Sequence, residues 1–356
     1  MTGELRALTS VRGIAAWFVV LFHIRQSIAG LPDPALAILA KGNLAVDFFF
    51  LLSGFVIWMS YADRLRAGGV ATVPLFLKRR IARIWPLHLF MLGFGVALAL
   101  ALRATGRETP NFPFAELPLH LALLQNWGFT AALSWNDPAW SISCELGAYL
   151  LFPLLALSID WKRVPSLAIL AAVAALILLL HTVFASNGAT DLGQQIPRLG
   201  LIRCILEFAC GTAIGALWLR WREDWKAYAV ISGVIALALL TGWIAGLLPE
   251  TLAVPAAFGA LLLMLALTAA KAGNPLEGRA LHYLGEISYA TYLGHYLLWF
   301  AFKLAFVDAS GSALWPMILG YLILVLAASA ALYHLVERPA QRWLNGKGPR
   351  PAYAAA

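Results

Sequence analysis

The chain alternates long apolar runs with short connections that carry charge, proline or glycine. A helix of roughly 20 apolar residues crosses a hydrocarbon core of about 30 Å, and a lipid-embedded backbone must satisfy its own hydrogen bonds. The pattern therefore predicts an all-α integral membrane protein, a bundle of about ten transmembrane helices. The predicted spans are residues 8–27, 44–61, 81–102, 140–158, 164–184, 200–219, 227–247, 253–270, 282–302 and 314–334.

Composition supports this class and indicates one domain. Of the 356 residues, 61% are hydrophobic and only 12% are charged, which excludes an ordinary soluble domain. No polar stretch of domain size interrupts the series of spans. We therefore expect one transmembrane domain over residues 1–343, followed by a short tail at 344–356 that glycine and proline make disordered.

The distribution of basic residues predicts the orientation. With the N-terminus inside, 19 of the 26 Lys and Arg residues lie in or beside the cytoplasmic connections, so we expect both termini in the cytoplasm. These charges occupy short loops, so the net charge of +8 does not indicate a nucleic-acid partner. The three cysteines lack metal-ligand spacing, and no metal site is expected. Membrane lipid is an expected partner, and the sequence allows a homo-oligomer without fixing the oligomeric state.

Several ionisable residues fall inside the predicted spans. Each such group costs about 2.5 to 3.5 kcal/mol at a helix centre, so it needs a partner or a function. His23 follows Arg12 by eleven residues, about 16 Å of helix, which places it in the outer half of the first span. Asp47, Glu145 and His295 are expected at the same depth. This convergence indicates a functional site.

The expected chemistry at this depth is proton transfer. A neutral imidazole at His23 could act as a general base, and Asp47 or Glu145 could orient it. Two structural alternatives stay open. A neighbouring helix could satisfy the histidine, and both carboxylates stand near helix starts, where they could cap backbone N–H groups.

Arg80 and Arg83 stand three residues apart at the cytoplasmic mouth of the third span. This spacing puts both guanidinium groups on one helix face, where they could bind phosphate or pyrophosphate in bidentate fashion. The alternative is that they only anchor the helix at the membrane surface.

Taken in order, these segments resemble the acyltransferase-3 family of integral membrane enzymes. The stretches "VRGIAAWFVVLFH", with Arg12 and His23, and "VDFFFLLSGF" are similar to its signatures in the first and second helices. Further matches follow along nearly the whole chain. They are Arg80 and Arg83 with Pro86, "WSISCE" with Trp140, Ser141 and Glu145, "ISYATYLGH" with Ser288, Tyr289 and His295, and "VERP" with Glu337.

The resemblance implies an acyl-CoA-dependent O-acyltransferase of a bacterial plasma membrane, in the stand-alone form without an SGNH-type hydrolase domain. The acyl donor would be acyl-CoA, with acetyl-CoA first, and the acceptor a glycan or lipid-linked sugar. Arg12, Arg80 and Arg83 would bind the coenzyme, and His23 would act with Glu145 or Asp47. The remaining motif residues would contact substrate: Trp140, Ser141, Ser288, Tyr289 and His295.

Two alternatives remain open. Inward-facing ionisable groups would also suit a proton-coupled transporter of a small anionic solute, although no internal inverted repeat supports it. For the transferase, a covalent acyl-histidine intermediate uses the same residues as direct transfer.

Overall fold

The computed structural model describes residues 5–308 and 311–346, so residues 347–356 of the predicted tail lie outside the described residues. Within them the regular structure is helical, apart from one isolated bridge between Ile28 and Ala313. The α-helices are α1 (Arg6–Ile24), α2 (Asp33–Ala40), α3 (Ala45–Gly68), α4 (Val73–Ala104), α5 (Leu117–Leu121), α6 (Ala139–Ser158), α7 (Ser166–Ser186), α8 (Ile196–Trp221), α9 (Trp225–Ile244), α10 (Glu250–Thr268), α11 (Arg279–Glu286), α12 (Ser288–Phe306), α13 (Trp315–Leu332) and α14 (Arg338–Asn345).

The all-α class is confirmed, and nine of the ten predicted spans each overlap one α-helix of at least 18 residues. The predicted span 282–302 is instead divided between α11 and α12, which are separated by Ile287. By length and apolar composition, eight segments of the described chain could cross a membrane. One of them, 33–104, contains both α3 and α4, and the more polar α12 is not among the eight. The protein is thus a multi-pass integral membrane protein.

Helix α8 forms the centre of the bundle and packs closely against α3. A Cβ atom at Gly54 would overlap the carbonyl oxygen of Phe208, and one at Gly211 would overlap that of Leu51. Glycine at both positions lets the two backbones approach, as small residues commonly do between membrane helices. By contrast, α9 leaves apolar side chains such as Val230 and Leu237 exposed, which suits contact with lipid.

The candidate site lies among α1, α3, α4, α6 and α12. The connection 105–138 folds against one end of these helices and buries Trp135, which contacts Phe112 and Phe114. At the other end, α13 continues into a π-helical turn, Tyr333–Glu337, before α14. Single π turns often occur at functional sites, and this one carries the buried Glu337.

Candidate active site

A cavity of about 850 Å³, its open mouth included, runs between α1, α3, α4, α6 and α12. Along α3 it extends from Ile57 to Val46, which is eleven residues or about 16 Å of helix. Most of its wall is apolar, with polar groups at both ends and in the middle. Seven of the residues singled out in the sequence line it: Arg12, Arg80, Arg83, Ser141, Glu145, Ser288 and Tyr289.

The three arginines of this cavity have different surroundings. Arg83 forms an ion pair with the buried Glu337. Arg12 donates from Nε to Ser288 Oγ, 3.2 Å away, and from Nη2 to the carbonyl oxygen of Gly285 at 3.0 Å. These contacts hold the first helix against the start of α12.

Arg80 has no carboxylate partner among the described residues. Its guanidinium lies over the rings of Tyr61 and Tyr149, with its carbon 5.3 and 5.9 Å from the ring centroids. Its buried Nε atom has no hydrogen-bond partner in the described part of the chain. A cation with unused donors beside a cavity is suited to bind an anionic ligand.

Glu145 lies in the middle of the cavity and not beside His23. The hydroxyl of Ser53 donates to its Oε1 atom over 2.5 Å, and Tyr149 also hydrogen-bonds to this carboxylate. Because α6 packs against α3, Glu145 is directed across the cavity at α3. The geometry therefore does not give Glu145 the orienting contact with His23 expected from the sequence.

Asp47, which was expected to orient His23, is paired with an arginine instead. Its two oxygens accept hydrogen bonds from Nε and Nη2 of Arg203, at 2.6 and 2.5 Å, and both side chains are almost fully buried. Arg203 and the buried Glu207, one turn further along α8, were not singled out in the sequence. The signal was available, since both are charged residues inside a predicted span. This cluster joins α3 to α8.

The partner of His23 is another histidine. Nδ1 of His23 lies 3.1 Å from Nε2 of His295 and 3.0 Å from the carbonyl oxygen of Val19. Nδ1 of the fully buried His295 lies 3.0 Å from the carbonyl oxygen of Thr291. A carbonyl can only accept, so both Nδ1 atoms carry hydrogen, and Nε2 of His295 accepts from His23. This assignment leaves Nε2 of His23 with a free lone pair.

Tyr292 separates the cavity from the histidine pair. It lines the cavity, its ring centroid is 6.3 Å from that of His295, and its hydroxyl is 2.8 Å from Ser141 Oγ. Neither His23 nor His295 lines the cavity itself. Tyr292 is therefore a residue of the cavity wall that lies next to the histidine pair.

Tyr296 also contacts His23, and Asp137 lies next to Tyr296. The Tyr296 ring meets His23 edge-on, with centroids 5.4 Å apart, and its hydroxyl hydrogen-bonds to the Asp137 carboxylate. Asp137 precedes α6. Burial raises the pKa of its carboxyl above the ordinary value, and the hydrogen bond from Tyr296 opposes this shift.

Trp140 contacts Arg203, 5.4 Å from its ring, and the ring of Phe50, so it packs beside the ion pair. It was expected at the substrate, but it does not line the arginine cavity. Among the described residues no group of three or more His, Cys, Asp or Glu side chains could hold a metal ion.

Comparison with known proteins supplies the family. A family model described as "Acyltransferase domain" matches residues 5–334. The chain is 30% identical to Acyltransferase MdmB of Streptomyces mycarofaciens, over 97% of this chain and 94% of the relative. It is 27% identical to exopolysaccharide production protein ExoZ of Rhizobium meliloti (strain 1021), over 85% and 90% of the two chains. No solved structure gives a significant match.

Proposed function

The chain belongs to the acyltransferase-3 family of membrane enzymes, and we propose that it moves an acyl group from cytoplasmic acyl-CoA to a sugar hydroxyl at the outer half of the membrane. Acetyl-CoA is the proposed donor, and a glycan or glycolipid is the proposed acceptor. The observation that carries the proposal is a cavity with arginines at one end and, at the other, a tyrosine next to a histidine pair.

The arginine end suits the nucleotide of the coenzyme. Arg80 offers unpaired donors, and Arg12 and Arg83 add positive charge on the same wall. Guanidinium groups bind phosphate oxygens strongly and bidentately. In this proposal Arg80 makes the principal phosphate contact, since Arg83 is already paired with Glu337.

The length and lining of the cavity suit an extended thioester arm. The arm would run along α3, past Ser53 and Glu145, towards Ser141 and Tyr292. The thioester would reach the histidines when the hydrogen bond between Tyr292 and Ser141 opens. The Tyr292 hydroxyl is then free to donate to the oxygen that becomes negative in the tetrahedral intermediate, while Ser141 keeps its hydrogen bond to the carbonyl oxygen of Pro138.

His23 is the proposed general base. Its free Nε2 atom would take the proton of the acceptor hydroxyl, and the oxygen would attack the thioester carbonyl. When the C–S bond breaks, His23 would return the proton to the thiolate, so that the products are an ester and free CoA. His295 accepts the hydrogen bond from Nδ1 and so stabilises the imidazolium, a role that we expected from a carboxylate. Direct transfer is preferred over an acyl-histidine because it needs one step fewer at this site.

The orientation and acceptor have separate support. Placing 19 of 26 basic residues at the cytoplasmic side supports ten crossings with both termini inside. The name of the relative ExoZ mentions exopolysaccharide production, which supports a polysaccharide acceptor. The transporter considered from the sequence finds no support in the family to which the chain belongs.

The test is acyl transfer by the purified full-length protein in lipid nanodiscs. Acetyl-CoA labelled in the acetyl group would be supplied with exopolysaccharide from a bacterium that carries a close relative, chemically de-acetylated beforehand. We expect base-labile label in the polysaccharide together with free CoA in equal amount. Uptake of polysaccharide or CoA into sealed vesicles without ester formation would instead establish a transporter.

A further inference from the structure

A long apolar groove lies between α9 and α10, on the lipid-facing side of α9. It occupies about 910 Å³, its open mouth included. Its wall contains Ala229, Gly233, Val234 and Leu237 of α9 and Met264 of α10. None of the residues that line this groove lines the arginine cavity, so the two are separate.

The groove has the length of one leaflet of the membrane. From Lys226 to Leu237 it follows α9 for eleven residues, which is about 16 Å of helix. One half of a hydrocarbon core of about 30 Å measures about 15 Å. An acyl chain of a single phospholipid therefore matches the groove in length and in polarity.

Two lysine side chains meet at one end of the groove. The ammonium groups of Lys226 and Lys271 lie 5.8 and 4.9 Å from the centroid of the Trp225 ring. The backbone N–H of Lys271 donates to the carbonyl oxygen of Thr268, and both Thr268 and Trp225 line the groove. Both positive charges are thus held at the same end, around one indole ring.

These two lysines are available to a ligand. Neither forms an ion pair with a carboxylate of the described residues, Glu223 and Asp224 in the turn before α9 included. Tryptophan is enriched at the level of the lipid headgroups, and basic pockets between membrane helices bind anionic headgroups. The charge at the end of the groove therefore complements the phosphate of a lipid whose chain lies in the groove.

The same charges disfavour a second copy of this chain as the occupant. Two copies in one membrane have the same orientation, so a two-fold axis normal to the membrane would relate them. Their grooves would then face each other with all four ammonium groups of Lys226 and Lys271 at one depth. Like charges in such an interface repel each other.

We infer that this groove binds one anionic glycerophospholipid. Its phosphate lies at Lys226 and Lys271, and one of its acyl chains lies along α9 between Ala229 and Leu237. The groove is remote from the groups assigned to acyl transfer, so the inference does not depend on the proposed reaction.

The test is native mass spectrometry of the delipidated full-length protein in detergent. Phosphatidylglycerol and phosphatidylcholine with identical acyl chains would be titrated separately, and the dissociation constant of the first bound lipid measured. We expect phosphatidylglycerol to bind about tenfold more tightly or better, since each lysine near a headgroup contributes about fivefold. Glycerol 3-phosphate, which is the headgroup phosphate without chains, should not displace the lipid.

A first pair of variants tests the charges. Lys226→Ala combined with Lys271→Ala should remove the preference for phosphatidylglycerol, because no cation remains at the end of the groove. Lys78→Ala is the matched control, since it removes an exposed lysine of α4 that does not line the groove. It should bind both lipids as the wild type does.

A second pair tests the groove. Gly233→Leu places a side chain in the groove and should weaken the binding of both lipids. Its Cβ atom would lie 3.0 Å from the sulfur of Met264, a flexible side chain that can move, so the fold accommodates the change. Gly320→Leu in α13, where a Cβ atom meets nothing within 4 Å, is the matched control and should leave lipid binding unchanged.

Several results would overturn the inference. The wild type could bind the two lipids equally, or the double lysine variant could keep its preference, as Lys78→Ala does. Gly233→Leu could bind lipid as well as Gly320→Leu. Displacement by glycerol 3-phosphate would show a site for free anions, and a dimer that Gly233→Leu disrupts would show that a second copy covers the groove.

Discussion

Arg203 and Arg80 are two arginines within the helical bundle with opposite surroundings. Arg203 is 1% exposed and is held by both oxygens of Asp47, with a further bond from Nη1 to the carbonyl of Leu192. Arg80 rests on two tyrosine rings beside a cavity and lacks a carboxylate among the described residues. The charge of Arg203 is neutralised inside the protein, whereas the charge of Arg80 is available to a ligand.

The contrast shows that the surroundings of a charged side chain inside the membrane indicate its role. Removing one partner of a buried ion pair leaves an uncompensated charge, so substitution of an arginine in such a pair should lower the stability of the fold. Substitution of an arginine that has no counter-ion and lies beside a cavity should instead lower the affinity for a ligand. Each can be tested by substitution, and the two substitutions should affect different measurements.

The largest effect is expected from Arg203→Met. It leaves the buried carboxyls of Asp47 and Glu207 without their cation, which should cost about 3 to 5 kcal/mol of stability. Thermal unfolding in detergent, followed by tryptophan fluorescence, would report it. The double variant with Asp47→Leu should recover much of the loss, and Arg198→Met, at an exposed position of the same helix, should have little effect. A stable single variant would mean that the pair does not hold α3 to α8.

Arg80→Ala should leave stability nearly unchanged but weaken coenzyme binding. Loss of a charge-assisted phosphate contact corresponds to about 1.5 to 3 kcal/mol, so the Kd for CoA should rise about ten- to one-hundredfold. Isothermal titration calorimetry measures the Kd directly. Arg79→Ala is the matched control, because Arg79 is adjacent in sequence but does not line the cavity. Equal Kd values in the two variants would return Arg80 to a membrane-anchoring role.

Glu337→Gln should change Arg83 from an arginine paired with a carboxylate, like Arg203, into one that is available to a ligand, like Arg80. Without its carboxylate partner, Arg83 can donate to a phosphate in the cavity. We expect the KM for acyl-CoA to fall about two- to tenfold, the equivalent of one net hydrogen bond. Steady-state kinetics would measure it. An increased KM would show that the ion pair itself is what positions Arg83 for the coenzyme.

The smallest effect concerns pH. Burial holds the pKa of His120 at about 4, below the value of about 6.5 in an unfolded chain. Between these values the unfolded state binds the additional proton, so stability falls as the pH is lowered through this window. The unfolding temperature should drop from pH 7 to pH 5 by less in His120→Gln than in the wild type. Equal drops would place the titrating group elsewhere.

The sequence alone was sufficient to predict the long apolar helices of the fold. Nine of the ten predicted apolar runs each overlap one long helix, because a lipid-embedded segment must be both apolar and helical, and only the run 282–302 is divided between α11 and α12. The prediction that Arg80 and Arg83 share one helix face follows from helical periodicity in the same way. Such features are local, so a single sequence is enough to state them.

Contacts between helices could not be predicted from the sequence alone. Asp47 and Glu145 were expected near His23, but helix packing pairs Asp47 with Arg203 and Glu145 with Ser53. That packing depends on close approaches such as Gly54 against α8, which no periodicity reveals.

We propose that His23 transfers the proton in acyl transfer and that the arginines of the cavity, which are separate residues, bind the donor. The most direct measurement compares wild type and His23→Ala in the same nanodisc samples, with CoA affinity and single-turnover transfer of labelled acetyl to polysaccharide measured in parallel. If His23 is the general base, the two proteins should bind CoA equally, and the transfer rate of the variant should be reduced about 10²- to 10⁴-fold, the usual contribution of a general base. Transfer at the wild-type rate by His23→Ala would contradict it.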